Sequence, residues 1–143
     1  MITIGIDPGK HTGVAVFDNQ IKQFTNIFDC NTYEAILFLQ ANKENIKQII
    51  IESSSRQSHI WSSDKMNKRS FGRRARNTGS VDGKVDIFRE FCEKENIELR
   101  EISPLQKGAK WNKEQFKIFI PEWTKQTNEH QRDAVKLVMF AGR

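Results

Sequence analysis

Apolar and polar residues alternate from Ile2 to Ile6, and a period of two predicts a strand. Pro8-Gly9 and Thr12-Gly13 punctuate a tight turn, and Thr12 to Phe17 predicts a second strand. Asp18-Asn19 has the composition of a hairpin turn, followed by a third strand from Gln20 to Phe28. The chain therefore opens as an antiparallel meander. Asn31 or Thr32 can cap a helix that runs to about Lys43, with Glu34 near the capping-box position. Ala35, Ile36, Phe38 and Leu39 supply its apolar face. Lys47 to Glu52, centred on Ile49-Ile50-Ile51, predicts a short strand buried on both faces.

Residues 53–79 break the pattern. They are polar, basic and rich in Ser and Arg, with Trp61, Met66 and Phe71 interspersed. This predicts a long functional loop, or a loop leading into a helix. Val81 to Lys94 predicts a helix, because Val81, Val85, Phe88 and Cys92 share one stripe. Ile97 to Ile102 predicts a strand ended by Ser103-Pro104, and Asn112 to Phe119 a short helix stopped before Pro121. Asn128 can cap a last helix from Glu129 to about Phe140, with Gly142 beyond its end. The order predicts an α/β fold: a mixed five-stranded sheet, three antiparallel strands then parallel ones, with helices on both faces. No repeat or linker divides the chain, so residues 1–143 are expected to form one domain, large enough to bury a core without disulfides.

Charge changes this picture more than composition does. Hydrophobic residues make up 37% and charged residues 29%, as in soluble proteins. No apolar run approaches the roughly 18–20 residues of a membrane helix, and the first strand starts without a secretory signal. With Cys30 and Cys92 the only cysteines and no Cys-x-x-Cys pair, reduced thiols in a cytoplasmic protein are expected. The net charge of +5 is concentrated. Arg56, Lys65, Lys68, Arg69, Arg73, Arg74 and Arg76 lie in a stretch whose only acid is Asp64, so the remainder is near neutral. A basic segment of this kind, at about 53–80, suits contact with nucleic acid.

Four side chains suggest chemistry. Asp7 ends the first strand, Glu52 ends the buried fourth, and His130 and Asp133 stand three apart in the first turn of the last helix, on one face. Such groups at one edge of a sheet can converge on hard divalent cations. Two metals would activate water and stabilise the leaving oxygen of a phosphodiester. Carboxylates suit Mg²⁺ or Mn²⁺, and one imidazole shifts the preference slightly toward Mn²⁺. Gly9 and Gly13 are expected to let backbone approach the metals or a phosphate. Glu129 could replace His130, but it points about 100° away. Each residue alone has a plainer explanation: Asp7 as a turn former, Glu52 as a solvated strand end, His130 and Asp133 as favourable helix-start charges. They become specific as a set.

Gly5-Ile-Asp-Pro-Gly-Lys-His-Thr-Gly-Val-Ala-Val-Phe17 resembles the first strands of the RuvC-like Holliday junction resolvases. Glu52 matches the family's second acid, and His130-Gln-Arg-Asp133-Ala134 matches its last ligand pair. Ser103-Pro-Leu-Gln-Lys107 and Asn112-Lys-Glu-Gln115 resemble the stretch before, and the opening of, the family's short helix. The resemblance implies an RNase H-like fold and a homodimeric enzyme cutting opposed strands of a four-way DNA junction. It implies two Mg²⁺ or Mn²⁺ ions at Asp7, Glu52, His130 and Asp133, with Lys107, and as a second candidate Lys113, near the scissile phosphate. In length the chain is closer to phage-type members. Residues 53–79 do not match the cellular pattern, and in the family that region supplies the dimer contact and the junction-opening wedge. Lys68, Arg69, Arg73, Arg74 and Arg76 are the candidate DNA contacts there. Phe71 is the candidate for stacking on bases, with Trp61 as runner-up; packing in a core or interface is an equal alternative for either ring.

Rival readings keep the fold. Asp7-x-Gly9 with Thr12-Gly13 also resembles the first phosphate loop of actin-like ATPases and sugar kinases, which need two such domains. A non-catalytic basic nucleic-acid-binding protein, or a nuclease acting on RNA or on flap and replication intermediates, remains open.

Overall fold

The structure is a computed structural model that describes residues 1–54 and 68–141, with side chains described outside 68–79 and 141. Five strands form one sheet: β1 (Ile2–Asp7), β2 (Thr12–Asp18), β3 (Gln23–Cys30), β4 (Ile46–Glu52) and β5 (Glu98–Ile102), in the order β3-β2-β1-β4-β5. β1 to β3 pair antiparallel, and β1, β4 and β5 run parallel. The turn between β2 and β3 is longer than an Asp18-Asn19 hairpin. Lys22 adopts φ 59, and β3 starts at Gln23 rather than Gln20.

The helices are α1 (Thr32–Asn42), α2 (Lys68–Glu95), α3 (Pro104–Lys107), α4 (Lys113–Phe119) and α5 (Glu129–Ala141). Asn31 is the cap of α1, in a reciprocal pair with Glu34. Asn112 and Gln115 form the same pair at α4, and Asn128 and Gln131 at the start of α5. These pairs satisfy amides that a helix start leaves without partners. α2 is far longer than the stripe from Val81 predicts. Its first half, Lys68 to Ser80, carries polar and glycine residues and so gives no apolar period to read. It ends where Asn96 takes φ 55 and the Ile97 amide returns to the Cys92 carbonyl. α3 is a single turn absent from the pattern, capped by Ser103 with Pro104 at its first position and closed by Gly108 at φ 77.

Helices cover both faces. On one, Ile4, Ile6, Ile49 and Ile51 pack with Leu39 of α1 and Val85, Phe88 and Cys92 of α2. On the other, Ala15, Phe24 and Ile27 pack with Phe116 of α4 and Ala134, Val135 and Val138 of α5. The triple isoleucine is buried on both sides: Ile50 turns away from Ile49 and Ile51 to meet Ile102 and Leu137. Among the described residues no helix is long and apolar enough to cross a membrane.

Two glycines fix how α5 lies on the sheet. A Cβ on Gly5 would overlap the Ala134 carbonyl and come within 2.8 Å of Val138 Cγ2. A Cβ on Gly13 would overlap the His130 carbonyl. Gly13 therefore serves close helix–sheet approach rather than approach to a metal or phosphate. The Gly9 carbonyl instead accepts a 2.7 Å hydrogen bond from Lys84 Nζ of α2.

Candidate active site

Topology brings the chemistry to one edge. β1, β4 and β5 are parallel, so Asp7, Glu52 and the turn after Ile102 all emerge at their C-terminal ends. Asp7 pairs with Gly13, and Gly13 holds the first turn of α5 against β2. His130 and Asp133 therefore arrive at the same edge.

His130 Nδ1 lies 3.2 Å from Asp7 Oδ2. Lys107 places its ammonium against the Glu52 carboxylate and 3.0 Å from Asp133 Oδ2. Lys107 and Asp133 are buried and Glu52 is partly so, and Lys107 is not a solvated lysine. Burial works against the charge of Lys107, but Glu52, Asp7 and Asp133 together outweigh it and hold its pKa above the usual lysine value. Burial pushes the Asp7 carboxyl up to about 6; Lys107 opposes that shift, Glu52 and Asp133 add to it, and the His130 hydrogen bond opposes it. Three carboxylates share one ammonium, which leaves the corner two negative charges in excess when all are ionised.

Among the described residues, no three groups of metal-ligand type stand close enough to hold an ion as placed. The Lys107 ammonium lies where Glu52 and Asp133 meet. The donor set still suits a hard divalent cation: carboxylate oxygens, one imidazole and an unbalanced negative charge.

The other candidates fall elsewhere. Glu129 pairs with Lys110 at 3.1 Å, and its other carboxylate oxygen lies 3.8 Å from His130 Nε2. Lys113 is exposed at the start of α4, beside a shallow groove with Asp29 and Gln131. Lys68, Arg69, Phe71, Arg73, Arg74 and Arg76 follow the first turns of α2, with side chains outside the described set. Arg56, Trp61 and Lys65 lie outside the described residues.

Sequence reasoning missed the polar braces. Ser53 donates its amide to the Ile102 carbonyl, fixing the chain just past Glu52. Ser54 bonds to Asp82 of α2, and Arg89 of α2 pairs with Glu101 of β5. The Ser-Ser pair after a strand end was the available signal for Ser53 and Ser54. Lys84 carried none, because its role depends on a carbonyl 75 residues away.

No protein-family model matches the chain, and no curated protein matches it by sequence. Among solved structures it is similar to T. thermophilus RuvC in complex with Holliday junction substrate, with a TM-score of 0.64 and 13% identity. The match covers 99% of this chain and 93% of that one. The fold is RNase H-like. This bears out the mixed five-stranded sheet expected from the residue pattern.

Proposed function

We propose that the chain is a metal-dependent, structure-selective endodeoxyribonuclease that cleaves Holliday junctions or other branched DNA. The observation that carries this is one edge of an RNase H-like sheet where the Lys107 ammonium joins Glu52 to Asp133 and His130 contacts Asp7. The likeness to RuvC bound to a Holliday junction supports the choice of substrate.

Asp7, Glu52, Asp133 and His130 would hold Mg²⁺ or Mn²⁺, two per site. The bound ions would supply an activated water and stabilisation of the leaving oxygen. The residues themselves do the rest. His130 orients Asp7 through the 3.2 Å contact. Buried Asp133 presents its carboxylate from a helix that Gly5 and Gly13 fix against the sheet. Lys107, which pairs with Glu52 and Asp133, would offset the negative charge of the phosphate. The first half of α2, with its basic residues, is the surface offered to DNA, in a single-domain protomer acting as a homodimer on two strands.

The test is a cleavage panel of junction, flap, duplex and RNA–DNA hybrid, with Mg²⁺, Mn²⁺ or chelator. Metal-dependent cleavage of branched DNA is expected, and Asp7→Asn should bind junctions while losing nearly all cleavage. Binding without cleavage under any divalent ion would overturn the enzyme and leave a basic nucleic-acid-binding protein.

A further inference from the structure

Beside the carboxylates, on the α5 side of β5, lies a second polar feature that the catalytic reading does not use. It is a cavity of about 110 Å³ lined by Arg100, Gln106, Lys107, Lys136, Leu137 and Phe140. A water occupies about 30 Å³ of liquid, so the space equals that of three or four waters. Its polar lining is cationic. Lys136 is buried, and its ammonium donates to the Ala109 carbonyl and lies 5.4 Å from the Trp111 ring and 5.9 Å from the Phe140 ring. Among the described residues neither Arg100 nor Lys136 has a carboxylate within 4.0 Å. Asp133, the carboxylate that acts on Lys136 through space, is already bound to Lys107. Among the described residues, this buried ammonium, held by a carbonyl and two rings, has no carboxylate counter-ion of its own.

We propose that Arg100, Gln106 and Lys136 form a subsite for a phosphate group, filled by a backbone phosphate of the nucleic acid next to the one cleaved. A guanidinium fork, a point-charge ammonium and an amide N–H suit a tetrahedral oxyanion. Lys107 is shared between this pocket and the carboxylate corner, so a phosphate here fixes the register of the strand beside the reacting bond. The assignment to nucleic acid rests on the proposed nuclease function; the phosphate pocket itself does not.

The experiment has two arms on the full-length protein. In the first, junction binding without divalent ions is measured against salt for wild type, Arg100→Gln and Lys136→Met. Each change should weaken binding and lower the salt slope by about one, as loss of one phosphate contact does. Arg100 is exposed, so its variant keeps the test valid if Lys136→Met folds poorly. In the second, inorganic phosphate is titrated while the Gln106 side-chain amide is followed by NMR. Slopes lowered in both variants support the backbone phosphate. An amide shift with unchanged slopes overturns the nucleic-acid assignment and leaves a small-anion site. Unchanged slopes and an unmoved amide overturn the pocket. A wild type that binds no DNA overturns the nuclease reading, while the second arm still decides the pocket.

Discussion

Two corners, each built on a buried lysine, meet at α3 and carry opposite deficits. At one, the ammonium of Lys107 contacts Glu52 and Asp133 with Asp7 acting on it through space, and negative charge is in excess. At the other, Lys136 and Arg100 face a small cavity without a carboxylate partner among the described residues. The lysines respond in opposite senses. Carboxylates hold the pKa of Lys107 above its usual value, whereas burial lowers that of Lys136. Ordinary structural ion pairs do not look like this. Lys43 and Glu95 pair 2.9 Å apart, one cation to one carboxylate. An uncompensated buried charge costs free energy in the ligand-free fold. It therefore indicates the sign of charge each corner suits: positive at the first, negative at the second.

The largest expected effect comes from removing one carboxylate. Asp7→Asn keeps size and hydrogen-bonding capacity but gives up one ligand charge. Metal stabilisation of transition-state charge is worth several kcal/mol, so cleavage should fall on the order of a thousandfold. Junction affinity in chelator should hold. Cleavage within tenfold of wild type would mean that the negative corner is not where the chemistry happens.

Lys107→Met attacks the same corner from the other side. It leaves buried Asp133 and partly buried Glu52 without their cation, and breaking a buried pair costs about 3–5 kcal/mol. Thermal melting at neutral pH in chelator should show a drop of many degrees. Saturating Mn²⁺ should recover much of it, because the ion replaces the lost charge. An equal drop with and without Mn²⁺ would show that the carboxylates do not take a cation.

Gly13→Ala tests what the corners share. The new methyl meets the His130 carbonyl, and overpacking of this kind typically costs about 1–3 kcal/mol. The shift of α5 would displace Asp133 and Lys136 together. Mn²⁺ affinity and the salt slope of DNA binding should both weaken. A stable variant with both readouts unchanged would show that α5 is not held by this contact.

What could be read from the chain depended on whether a residue's role was local. The strand ends at Asp7 and Glu52 and the His-x-x-Asp spacing on α5 follow from periodicity, so the four candidate ligands were legible together. The two-sided burial of Ile49 to Ile51 was legible for the same reason. Lys107 could be named through resemblance, but its burial among carboxylates could not, because those partners lie 55 and 26 positions away. Gly13 was recognisable as a close-approach position while its true neighbour, the backbone of α5, was not. Lys136 gave no signal, since one lysine on an apolar helix reads as a snorkelling side chain. The first half of α2 was missed because a helix without an apolar stripe has no period to detect.

The smallest expected effect separates charge excess from mere burial, and it is a pH profile. The Asp7 carboxyl is raised from 3.8 to about 6, chiefly by burial, with Lys107 and His130 opposing and Glu52 and Asp133 reinforcing. A raised carboxyl means that the folded state holds the proton more tightly than the unfolded chain. Its contribution to stability is therefore complete below about 3.8 and is lost as pH rises through about 6. Asp7→Asn cannot make that transition. In chelator, the melting temperature of the variant minus that of wild type should climb between pH 4 and 7 and then level off. In saturating Mn²⁺ the climb should shrink or reverse, because the ion stabilises the ionised carboxylate only in wild type. A difference curve that stays flat in chelator would mean that Asp7 loses its proton as easily folded as unfolded. The negative corner would then not be strained, and its claim on a cation would rest on donor type alone.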